Sequence, residues 1–148
     1  MINKIIEAAI NHESGDVLSS VEGKIVHDSD VLDKSGMLGV IRHAWKTTNL
    51  IKKRLLSGSD DLTYLESHLK AREAKLFTKS AIKLASKINA SRNAFFADRE
   101  FAEKILEIVS KLSMEGKTSD QIANHLIEKF QHPCLSSLKS QLNCSYLT

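Results

Sequence analysis

Residues 75–97, KLFTKSAIKLASKINASRNAFFA, carry Lys75, Lys79, Lys83, Lys87 and Arg92 and not one Asp or Glu. On a helix, ammonium groups four residues apart align as a ridge, and the work open to such a ridge is electrostatic: neutralising phosphates or carboxylates. Phe77, Ala81, Leu84 and Ile88 fall about 100–180° away and read as the face turned to a core. Arg72 extends the ridge towards the N-terminus, and Arg42, Lys46 and Lys53 form a second cluster in the 42–54 region.

Lysines outnumber arginines sixteen to five. Lysine meets phosphate as a point charge, whereas arginine supplies the fork that reads guanine, so a nucleic-acid partner would be met mainly at its backbone. Stacking of single strands is the weaker option, because only eight residues are aromatic and most phenylalanines fall on apolar faces. A basic amphipathic helix also suits a membrane surface, but the alanines and leucine opposite the ridge read as core. The leading expectation is a non-catalytic regulatory or accessory protein that binds nucleic-acid backbone with low sequence specificity. The alternative is an adaptor or inhibitor whose ridge docks an acidic protein surface. A third reading makes the ridge an internal matter, covered by Glu22, Asp28, Asp30 and Asp33 of the chain's own acidic head.

Other residue types add little chemistry. His125, His132, Cys134 and Cys144 crowd the tail, but their spacings match no zinc module, and the dispersed His12, His27, His43 and His68 read as surface residues. The chain holds no phosphate-cradling glycine loop, no nucleophile elbow and no metal-binding His-Glu helix motif. Neither a catalytic set nor a metal or other cofactor is expected. Two cysteines in 148 residues suit reduced thiols, and MINKIIEAAINHE is not patterned as a signal peptide, so a cytoplasmic location is expected.

These groups need elements to hold them. One proline, six glycines and many helix formers imply an all-α fold, a single-domain bundle of about five to seven helices. Charge is segregated: residues 1–36 carry three lysines against seven acids, 37–97 twelve cations against four acids, and 98–148 six against seven. Helical periodicity marks 2–13, and short helices are expected over 14–34, with a hairpin through VLSSVEGKIV as the alternative. Over 36–57, Met37, Ile41, Ala44, Thr48, Ile51 and Leu55 recur at helical spacing, with Ser35 to cap, Gly58 to stop and Trp45 mostly buried. A helix from 60 to 96 would run about 55 Å, so it either breaks near Asn89–Asn93, the favoured reading, or projects and pairs in a homodimer.

Asp98 and Gly116 bound a further helix, Thr118 and Gln121 make a capping box, and Leu135, Leu138 and Leu142 suggest a short last one. GKTSDQIANHLIEKF followed by LSSLKSQL resembles the front half of a helix-turn-helix, a fifth of the chain. It departs from that motif at Ile127, where a glycine usually bends, and at Pro133, where the second helix carries a buried aliphatic.

Overall fold

GMLGVIRHAWK, residues 36–46, is apolar nearly all round, and a helix of that kind must be wrapped by others. The computed structural model describes Asn3, Ile6 and residues 20–144, and the helix expected over 2–13 otherwise lies outside the described residues. Within residues 20–144 seven α-helices follow one another: α1 (Val21–Asp33), α2 (Gly36–Lys46), α3 (Gly58–Glu73), α4 (Lys79–Ala97), α5 (Arg99–Met114), α6 (Ser119–Lys129) and α7 (Leu138–Cys144). The described residues hold no strand, so the fold is all-α and the hairpin alternative falls. Helix α2 lies at the centre, packed against α3, α4, α5, α6 and α7. Met37, Leu38, Val40, Ile41 and Ala44 are buried there and join Leu62, Leu65, Phe95, Ile105, Ile122, Leu126 and Leu138 in one core.

The start of α2 is satisfied from far away. Ser35 does not cap it, as its sequence position suggests, but donates to the Val31 carbonyl. Asn89 Oδ1 accepts from Gly36 N at 2.7 Å, and Gln141 Oε1 accepts from Leu38 N at 3.3 Å. Gly39 lets the corner between α1 and α2 close, since a Cβ there would collide with the Lys34 carbonyl.

Helix α2 also ends earlier than the stripe over 36–57 implies. From Thr47 to Ile51 the chain takes a π turn, with Lys52 N donating to Thr47 O at 2.8 Å. The extra residue shifts the phase of everything after it. Leu56 turns into the core at 1% exposure, while Ile51 and Leu55, expected around Trp45, are each 46% exposed. Trp45 itself is half-buried, its Nε1 donating to Lys117 O at 3.0 Å. Gly58 takes its left-handed φ of +77° at the entry to α3, not at the end of α2.

The expected break near Asn89–Asn93 lies instead at 74–78. Asp28 of α1 accepts from Phe77 N (2.9 Å) and Thr78 N (2.8 Å), and Thr78 then caps α4 through Ala81 N. Those bonds give the backbone partners outside the helix, so the chain stops after Glu73 and restarts at Lys79. Asn89 is tolerated inside α4 because its side chain serves α2. Further on, Asp98 caps α5 and the Thr118–Gln121 capping box opens α6, both at the expected places, and a 3₁₀ turn begins at Pro133.

A candidate basic cleft between α1, α2 and α3

Arg42 and Lys46 are four apart on α2, and His68, Arg72 and Lys75 follow one another at helical spacing along α3 and just beyond it. Packing α3 against α2 sets these two rows across from each other, and α1 closes the third side. The result is a cleft of about 640 Å³ with Val31, Gly39 and His43 in its walls. It is lined by Lys34, Arg42, Lys46, Arg72 and Lys75 against Asp30 and Asp33, a balance of +3.

Those charges are not equivalent. Lys34 bonds Asp30 at 2.6 Å, and Arg42 reaches both the carboxylate and the carbonyl of Asp33 at 3.3–3.4 Å. Lys46, Arg72 and Lys75 make no ion pair among the described residues. Between the two rows stands His43, 5% exposed, its ring stacked on His68 with centroids 4.7 Å apart. Burial, with His68, Arg72 and Lys46 close by, pushes its pKa down to about 4, so the ring is neutral at pH 7. Its Nε2 is buried with no hydrogen-bond partner.

The nine basic residues singled out in the sequence therefore divide. Arg42, Lys46, Arg72 and Lys75 converge on the cleft. Lys79, Lys83 and Lys87 stand exposed along α4, without ion pairs among the described residues, and continue the row that Lys75 begins. Arg92 does not belong with them: it is 3% exposed and bonded to Glu73 at 2.6 Å. Lys53 lies outside the cleft, exposed in the loop after the π turn at φ +51°. Its neighbours Lys52 and Arg54 hold the buried Asp61, whose carboxyl Arg54 above all keeps far below the usual range.

The face of α4 opposite the ridge also differs from expectation. Ala81, Ala85, Asn89 and Phe96 are buried, but Leu84 is 47% exposed and Ile82 lies in solvent beside it. Among the described residues no ion pair joins the α4 lysines to the acidic head: Asp28 accepts from the Phe77 and Thr78 amides, Asp30 holds Lys34 and Asp33 holds Arg42. His27 and His43, read as surface residues, are both buried. The signal for His43 was present, since it falls between Ile41 and Ala44 on the apolar helix; nothing local marked His27 or His68.

The tail gathers a different trio. His132 Nδ1 accepts from Cys134 N at 3.2 Å and lies 3.1 Å from Cys134 Sγ, while Nε2 donates to Asp98 Oδ2 at 3.1 Å. That order of groups resembles a nucleophilic relay. Cys134 is fully buried, however, and burial pushes its thiol up to about 12, so the sulfur is neither reachable nor ionised. The trio works as a strut tying the start of α5 to the 3₁₀ turn, with Phe101 stacked on the imidazole at 4.0 Å. Among the described residues no three His, Cys, Asp or Glu side chains gather in a way that could hold a metal ion.

Helices α6 and α7 are separated by residues 130–137, including the 3₁₀ turn, and α7 is seven residues long. This is not the short turn of the helix-turn-helix that the tail resembles. No described helix is long and apolar enough to cross a membrane. In comparison with known proteins, the chain matches no family model, no curated protein and no solved structure.

Proposed function

We propose that the protein is a non-catalytic binder of nucleic-acid backbone, its contacts running from Lys46, Arg72 and Lys75 at the cleft to Lys79, Lys83 and Lys87 on α4. One observation carries the reading: these six cations have no ion pair among the described residues, although Asp28, Asp30 and Asp33 lie nearby and are engaged elsewhere. A cation left unpaired is free to displace the counterions of a phosphate chain, which is the main source of non-specific affinity. Lys79, in the first turn of α4, opposes its dipole at a local cost of about 0.3–1 kcal/mol, and a role in binding accounts for its keeping that position.

Titration of the protein against random-sequence duplex at increasing salt tests this. Binding at low salt, with a log–log slope between about −3 and −5, is the expected result for up to six phosphate contacts. No binding at 50 mM salt overturns it. A second reading, docking of an acidic protein surface, draws on Ile82 and Leu84, which expose apolar area between the lysines as a protein interface core does.

A further inference from the structure

An extended strand is best met by a row of charges, but the cleft is a concavity whose cations converge from different elements. Lys46 comes from α2, Arg72 from α3, and Lys75 from the turn after it. The volume of about 640 Å³ lies in the range of small-molecule sites. Its walls are chemically unlike. The α1 side carries Asp30 and Asp33, each held by a lysine or arginine but still a carboxylate at the rim. A strand that follows the α4 lysines and ends in the cleft meets the three cations without passing those two acids.

On the α2 and α3 side, the imidazoles of His43 and His68, stacked with their faces turned to each other, form a wall beside the cations. Neutral His43 adds no positive repulsion of its own to the trio. Its Nε2 is one of four buried side-chain polar atoms without a partner among the described residues, and the one that belongs to a residue lining the cleft.

We propose that this cleft is a site for a phosphomonoester dianion, held by Lys46, Arg72 and Lys75 against the His43–His68 wall. The group is either the terminal phosphate of a nucleic-acid strand or the phosphate of a free nucleotide. The site shares Lys46, Arg72 and Lys75 with the backbone contacts proposed above, and the strand-end case rests on that reading, whereas the free-nucleotide case does not.

The test compares a 5′-phosphorylated oligonucleotide with the same oligonucleotide ending in a hydroxyl, and follows the His43 and His68 ring resonances by NMR during titration with adenosine 5′-monophosphate. If the strand end is the ligand, the phosphorylated oligonucleotide binds about tenfold more tightly, as one charge-assisted contact set is worth. Lys46→Ala or Arg72→Gln then removes the difference, while Lys79→Glu lowers both affinities and leaves their ratio intact. If the free nucleotide is the ligand, the two oligonucleotides bind alike, but the monophosphate shifts both rings with a Kd below about 1 mM. That shift is lost in Lys46→Ala, an exposed position whose fold is checked by its melt. Equal oligonucleotide affinities together with unmoved rings overturn the proposal, whether or not duplex is bound elsewhere.

Discussion

His43 shows how one side chain couples the cleft to the stability of the fold. Its pKa falls from 6.5 to about 4 because its ring is buried and faces His68 and Arg72 from α3 and Lys46 from its own helix. Between those values the unfolded chain binds a proton that the native state does not, so stability is lost as pH falls from 6.5 towards 4. Below 4 this group contributes no further change. The interval corresponds to about 3 kcal/mol. His43→Phe keeps a ring against His68 and removes the titration, so urea unfolding at pH 7 and pH 4.5 should differ by about 2 kcal/mol less in the variant. An unchanged difference would show that the ring is solvated. Asp61 acts in the same direction but lower on the scale. Its depressed carboxyl contributes stability that is full above about pH 4 and disappears as pH falls through its native value.

At the scale of elements, the helices whose ends are set locally were legible and those set from afar were not. Asp98 and Thr118 with Gln121 each act within three residues of themselves, so the starts of α5 and α6 follow directly from the sequence. The break at 74–78 is made by Asp28, about fifty positions earlier, and Asn89 is held inside α4 by its bond to Gly36. No local pattern announces either bond. The π turn is the same case. Ser110 of α5 bonds Thr48 Oγ1 at 2.9 Å and accepts from Leu56 N at 2.8 Å, fixing a wide turn that the apolar stripe alone reads as straight helix. The consequence is measurable by two substitutions. Leu56→Ala should cost about 2–5 kcal/mol and Leu55→Ala under about 1 kcal/mol, where an unbroken helix would reverse the order. Denaturant midpoints of the two variants decide it. Of the candidate site, the convergence of Arg42, Lys46, Arg72 and Lys75 was invisible beforehand, because it depends on how α2 and α3 cross.

For the whole molecule, the question is what the segregated charge of the chain is for. A basic middle beside an acidic head could simply neutralise itself, and then the lysines of α4 would be part of the fold. Asp28, Asp30 and Asp33 are each committed elsewhere, and Lys79, Lys83 and Lys87 have no ion pair among the described residues. Reversing Lys79 and Lys83 to Glu therefore removes no ion pair among the described residues. Lys79 is also the first residue of α4, where a negative charge suits the helix dipole by about 0.3–1 kcal/mol, so the double variant should melt at or slightly above the wild-type temperature. The same variant should bind duplex far more weakly, with the log–log salt slope smaller by about two. Calorimetry and a binding titration on one preparation separate the readings. Unchanged duplex binding with loss of a specific protein complex would move the ridge to a protein partner. A cooperative melt lowered by many degrees, with binding unaltered, would make the ridge structural and retire it as a contact surface.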